Sequence, residues 1–219
     1  MVFFKSKIVI RLSVIFIACV ILSMIFVDKS VAYYFHNHWQ HTGLYALAGF
    51  IGKYTRSRYV GLIPFFCALV ACYFLLIKQK EKAKPFAFIA LSFYIAYFIV
   101  LILKVVLARY RPIYLFNNGL YGFHFFSFQH NLNSFPSGHT VAAAALAIAL
   151  FYLIEITWLR ALFIVYMLII ALSRLIITAH FVSDVLASIY IARLSVMWFD
   201  SLMGHARRRH LKNIVDYDL

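Results

Sequence analysis

Apolar residues run in long blocks along this chain, and the polar residues gather between them. The blocks cover about 8–27, 60–77, 86–107, 138–156, 160–178 and 181–203. They are solid blocks, not the apolar stripes that a soluble domain shows. Crossing a hydrocarbon core of about 30 Å takes about 20 helical residues, so the pattern predicts six membrane-spanning helices. Between them lie a polar, aromatic connection over 28–59, a basic loop KQKEKAKP over 78–85 and a long loop over 108–137. Short turns near Trp158 and His180 and a basic tail, HARRRHLK, complete the layout. The expected fold is an all-α, polytopic membrane bundle forming a single domain over 1–219, with no soluble domain and no internal repeat.

Composition agrees: 65% of residues are hydrophobic and 13% charged, where a soluble domain carries roughly a quarter charged. The net charge of +14 raises the question of nucleic acid. The Lys and Arg, however, lie between and just inside the apolar blocks, with no aromatic-basic binding stretch, so no nucleic-acid partner is expected. Cys19, Cys67 and Cys72 all fall inside apolar blocks and read as buried thiols, outside any disulfide framework or metal site.

Counting cations sets the orientation. Lys5, Lys7, Arg11, Lys78, Lys80, Lys82, Lys84, Arg160, Arg207, Arg208, Arg209 and Lys212 share one side of a six-span layout. Lys29, Lys53, Arg56, Arg58, Arg109 and Arg111 fall on the other. The excess puts both termini in the cytoplasm and the 108–137 loop outside. A cleaved signal peptide with its core over 12–27 and KSVA before Tyr33 is a rival reading. The apolar run is long for that, and Asp28 and Lys29 crowd the cleavage region, which favours an uncleaved span.

An ionisable group within a span is costly and needs a route to the headgroups or a function. Arg11 and Glu155 lie near cytoplasmic ends and can snorkel, and Arg193 can snorkel or approach Glu155. A second set has no such excuse. Lys104 and Arg111, seven residues apart, project to one side near the outer end of the third span, where Pro112 favours ending the helix. Arg174 lies near the outer end of the fifth span. His180 and Asp184 share a face at the start of the sixth, and His139 opens the fourth after Pro136, Ser137 and Gly138. Three cations at one depth make a receptor for a multiply charged anion such as phosphate, and a helix start at Ser137 and Gly138 adds backbone donors. Asp184 beside His180 marks that imidazole as a nucleophile and leaves His139 as the acid for the leaving oxygen. The cations supply the charge stabilisation that a metal would, so neither metal nor cofactor is required. Two histidines and a carboxylate as metal ligands is the weaker alternative, because the neighbouring cations repel a metal ion.

These residues carry a family resemblance. KVVLARYRP (Lys104 to Pro112), PSGH (Pro136 to His139) and SRLIITAHFVSD (Ser173 to Asp184) match in order and spacing the three-part signature of the type 2 phosphatidic acid phosphatase superfamily. The motif-bearing part is about 104–184, and the six-span layout resembles the family's membrane branch. The resemblance implies that Lys104, Arg111 and Arg174 bind phosphoryl oxygens, assisted by Ser137 and the Gly138 backbone. It implies that His180 becomes a phosphohistidine, that Asp184 orients it and that His139 is the general acid. It also implies a metal-independent lipid phosphatase of the bacterial inner membrane, with its site on the periplasmic face and a membrane lipid phosphate as partner.

The substrate is less legible. Lipid A phosphate, undecaprenyl diphosphate, phosphatidylglycerol phosphate and phosphatidic acid are candidates, with a lean toward an envelope glycolipid or prenyl phosphate. A lipid phosphotransferase and a non-catalytic lipid-phosphate binder or transporter are the alternatives. The aromatic loop Tyr114 to Asn133 reads as an interfacial belt or as the entry for lipid chains. His36, His38 and His41 invite a metal reading but fit an interfacial loop better, and Leu44, Leu47, Ile51 and Tyr54 predict a helix on the membrane surface within 42–58.

Overall fold

A computed structural model describes residues 7–203; Lys5 and the basic tail lie outside the described residues. The first helix is longer than the hydropathy suggests. Helix α1 (Lys7–Leu22) runs into a π-turn (Ser23–Val27) and then into α2 (Asp28–Trp39). Residues Val9–Trp39 thus form one apolar rod, not a span that stops near Val27. The Asp28 N–H donates to the Ser23 carbonyl, five residues back. That extra residue in the turn rotates the rest of the helix, and such turns mark functional positions in many helices. Here it turns Asp28 into the bundle, where it is fully buried.

Within the 42–58 segment a helix does form, α3 (Gly43–Tyr54). Thr42 caps it, accepting from the Tyr45 N–H at 3.2 Å. A short α4 (Ser57–Val60) leads into α5 (Leu62–Leu76), and the two make an apolar stretch long enough to span. Then come α6 (Lys80–Leu107), α7 (Pro112–Asn118), α8 (Gly138–Leu153), α9 (Thr157–Ile176) and α10 (Val182–Met203). Among the described residues, five helices are long and apolar enough to cross a membrane, while α8, with 16 residues, is shorter. Its length is about 24 Å.

Helix α8 is nonetheless the centre of the bundle. Every residue from Thr140 to Ala149 is buried, six of them alanines. Small side chains let neighbouring backbones come close where no water drives helices together. Phe93, Ala96 and Val100 of α6, Met167 of α9, and Ala192 and Val196 of α10 pack into the same core. Large apolar side chains such as Phe66, Leu76, Phe98 and Leu172 point outward instead, as lipid contact requires. Cys19 and Cys72 share that outward face, and only Cys67 is partly covered. An apolar block in a bilayer need not face the protein interior, so the expectation of three buried thiols is corrected.

The outer loop folds back on α6. Successive N–H groups of His124, Phe125, Phe126 and Ser127 donate to the carbonyls of Ala108, Leu107, Val106 and Val105 at 2.8–3.1 Å. They satisfy acceptors that a helix end leaves open. Ala108 ends the helix in the left-handed conformation, and Arg109 pairs with Phe123 in an isolated antiparallel bridge.

Candidate active site

Four helix ends deliver the predicted residues to one end of the bundle. Lys104 comes from the last turn of α6, and Arg174 from the last turn of α9. Ser137 caps the start of α8, so Gly138 and His139 occupy its first turn. Asp184 lies in the first turn of α10, with His180 in the turn just before that helix. Arg111 arrives differently from the expectation. Helix α6 stops at Leu107, so Lys104 and Arg111 do not share a helical face. Arg111 is extended and caps α7, and Pro112 opens that helix at its first position instead of closing α6. Proline's missing N–H is harmless there. Lys104 and Arg111 nevertheless converge, both within electrostatic reach of His180 and of His139.

The cations are held by backbone carbonyls. Lys104 Nζ donates to the Asn133 carbonyl at 2.7 Å, Arg174 Nη2 to that of Ala48 at 3.3 Å, and Arg111 Nη1 to that of Ala179 at 3.4 Å. Ser173 braces the second of these: its hydroxyl accepts from Arg174 Nε at 3.2 Å and donates to the Ile170 carbonyl at 2.7 Å. Helix α3 thus roofs the site, with Ala48 on Arg174 and Gly52 in contact with both Arg174 and His139. The Ser137 hydroxyl is buried and accepts from the Thr140 N–H and Oγ1 at 3.4 and 2.9 Å. Its first task is therefore to cap α8, with its own proton left to donate.

His180 and Asp184 form a buried pair, with Nδ1 of the ring 3.6 Å from Oδ2 of the carboxylate. That is slightly longer than a hydrogen bond, and His180 Nδ1 has no other partner; such contacts tighten when substrate arrives. Burial pushes the imidazole down to about 3, Arg111 and Lys104 push the same way, and Asp184 opposes them. The ring is neutral at physiological pH. With Nδ1 turned to Asp184, Nε2 is the nitrogen on the opposite side of the ring.

Asp184 is the best-anchored group of the site. Its Oδ2 accepts from Ser134 Oγ at 2.6 Å and from the Phe181 N–H at 2.9 Å, while Oδ1 accepts from Arg109 Nη1 at 2.5 Å. Arg109 is what the sequence reading missed: counted as a loop charge, it is 1% exposed and lies between two carboxylates. Its Nη2 donates to Asp28 Oδ2 and to Tyr121 Oη, both at 2.8 Å. Asp28 accepts in turn from the Ser183 N–H at 2.9 Å and the Ser183 hydroxyl at 2.5 Å. The available signal was a carboxylate in an apolar run, together with an arginine two positions before the motif arginine.

Among the described residues, no three His, Cys, Asp or Glu side chains gather as a metal-binding group, and this covers His36, His38 and His41. His36 instead stacks on Phe116, with ring centroids 3.9 Å apart, and takes part in a 2.6 Å contact with Gln40.

A helical membrane bundle that presents cations and two histidines at one end defines an anion-handling membrane protein. The chain belongs to the PAP2 superfamily, whose profile matches residues 85–208. Among solved structures it is similar to the crystal structure of Aquifex aeolicus LpxE. The two are 24% identical over 79% of this chain and 94% of that one, with a TM-score of 0.56, a likeness of fold. No curated protein matches the chain. The family supports a phosphatase, and the apolar helices place it in a membrane.

Proposed function

We propose that the protein hydrolyses a phosphomonoester or diphosphate on a lipid headgroup through a phosphohistidine at His180. One observation carries the reading. Lys104, Arg111 and Arg174 converge on His139, and His180 stands beside them paired with Asp184. An anion-binding protein needs the cations but not a buried His–Asp pair.

The chemistry follows from the placement. Lys104, Arg111 and Arg174 hold the non-bridging phosphoryl oxygens, aided by the Gly138 N–H at the start of α8. Neutral His180 attacks phosphorus through Nε2, forming a P–N bond as the bond to the leaving oxygen breaks. His139 gives that oxygen its proton. Asp184 supports the positive charge that develops on the ring. His139 then takes a proton from water, which attacks the phosphohistidine, frees inorganic phosphate and restores His180. The three cations spread charge across the transition state, and this mechanism asks for no metal.

The distribution of Lys and Arg supports cytoplasmic termini and a periplasmic site in a bacterial inner membrane. Lys104, Arg111 and His139 are half-buried, while Arg174, His180 and Asp184 are buried, so a headgroup meets the first three on arrival. An envelope glycolipid or prenyl phosphate is the favoured substrate class.

The test is phosphate release by detergent-purified protein, with chelator present, from lipid A, undecaprenyl diphosphate, phosphatidylglycerol phosphate and phosphatidic acid. Release from one class supports the reading and names the substrate. Transfer of labelled phosphate to an added alcohol without release would instead favour a phosphotransferase.

A further inference from the structure

Asp28 comes from the first helix, far in sequence from every motif. It is nonetheless fully buried and fully engaged. Its carboxylate meets the Ser183 N–H and hydroxyl, Arg109 Nη2 and the Tyr121 hydroxyl, the last at 3.1 Å. Tyr121 donates to the Met24 carbonyl at 2.6 Å, which ties this cluster to the π-turn that aims Asp28 inward.

We propose that Asp28 is a positioning residue for phosphoryl transfer, acting through Arg109 and the start of α10 to hold Asp184 against His180. The proposal rests on the reading of His180 as the nucleophile.

Two physical arguments carry it. The first concerns the start of α10. Its opening N–H groups lack helical acceptors, and two carboxylates take them: Asp184 accepts from Phe181, and Asp28 from Ser183. His180 and Asp184 flank these two amides, so the carboxylate from the first helix helps set the register of the pair. The second concerns charge. Arg109 lies between Asp28 and Asp184, and the three groups together carry one net negative charge. Without Asp28, Arg109 would neutralise Asp184 alone, and the cluster would have no net charge left to balance a cationic ring on His180. Asp28 therefore divides the pull of Arg109 and leaves Asp184 able to serve the imidazole.

Asp28→Asn keeps the shape and removes the charge, so kcat and KM for the lipid phosphate that the wild type turns over distinguish the roles. The expected result is a fall in kcat of about 10- to 100-fold, the scale of a small misplacement of reacting groups, with KM nearly unchanged and Asp28→Glu recovering part of the loss. Rapid-quench labelling is expected to show slower formation of the His180 phosphoenzyme. Wild-type kcat in Asp28→Asn, or a loss that falls wholly on KM, overturns the proposal. Should Asp28→Asn not fold, Ser183→Ala decides, because it keeps all three charges and removes the hydroxyl between them. A fall in its kcat at constant KM supports the positioning role, and wild-type kinetics overturns it. His180→Ala run in parallel separates the two readings: if it stays active, the nucleophile assignment fails; if it is dead while Asp28→Asn is fully active, only the positioning role fails.

Discussion

The guanidinium of Arg174 packs directly against Gly52: a Cβ placed on Gly52 would stand 1.7 Å from Nη2 and 2.4 Å from Cζ. No side chain fits between them. Glycine at this position lets α3 close over Arg174 and lets Ala48 hold it.

Gly52→Ala is expected to push the Arg174 side chain out of its seat, because the far end of a long side chain moves more readily than two packed helices. The expected outcome is a KM for lipid phosphate raised about tenfold, equivalent to about 1.4 kcal/mol, with kcat less affected. Steady-state kinetics checks it, and an unchanged KM would show that α3 is not a firm roof.

His180→Ala is expected to abolish turnover while binding of a lipid phosphate survives, since the cations remain. Turnover and equilibrium binding, measured on the same preparation, separate chemistry from capture. Retained turnover would sink the nucleophile assignment.

On the proposed function, Lys104→Ala and Arg174→Ala would each remove one charge-assisted contact to phosphate, which contributes about 1.5–3 kcal/mol. Affinity for inorganic phosphate, read by calorimetry, is expected to fall roughly 10- to 100-fold for either variant. Unchanged affinity in both would remove the anion pocket.

The buried neutral ring of His180 has a pH signature. Its folded-state value, about 3, lies below the ordinary value of 6.5. Between these the unfolded chain binds a proton that the folded chain refuses, so stability rises with pH across that window and is lost as pH falls through it. Thermal unfolding in detergent from pH 7 to pH 4.5 is expected to show a larger drop in Tm for the wild type than for His180→Gln. Equal drops would mean that the ring is not held neutral by burial.

Arg109→Met is expected to destabilise the fold by about 3–5 kcal/mol, the usual consequence of stranding buried carboxylates. Here both Asp28 and Asp184 lose their cation. A melting temperature within a degree or two of wild type would show that the ion cluster contributes little to stability.

What is legible in the sequence, and what is not, divides along physical lines. Hydropathy marks where helices cross, and the motif spacing marks Lys104, Arg111, His139, Arg174, His180 and Asp184, because those residues sit where ionisable groups are costly. Asp28 obeys the same rule. Beside Lys29 and Ser30, however, it resembles the end of a span, and nothing local reveals that a π-turn carries the helix on to Trp39. Arg109 was hidden for the opposite reason. Charges in loops are common, and only the fold-back of Phe123 to Ser127 onto α6 makes this one buried. Lys104 and Arg111 meet although the helix between them ends at Leu107, so the fold-back of the chain brings them together and a shared helical face does not. Helix α3 was visible from its periodicity, but its seat on Arg174 depends on a tertiary contact between residues 126 positions apart.

The three-way ion cluster also bears on how the molecule is made. Asp28 enters the bilayer with the first helix, Arg109 follows the third crossing segment, and Asp184 comes only with the last. A lone carboxylate at membrane depth is expensive, and an arginine that arrives early relieves it. A half-synthesised chain can therefore carry Asp28 and Arg109 as a balanced couple while the later helices are still to insert. The His180–Asp184 pair is completed only when α10 docks and brings the second carboxylate to that couple. On the proposed function, enzymatic competence then becomes the last event of biogenesis, and insertion intermediates are kept from acting on the lipids around them.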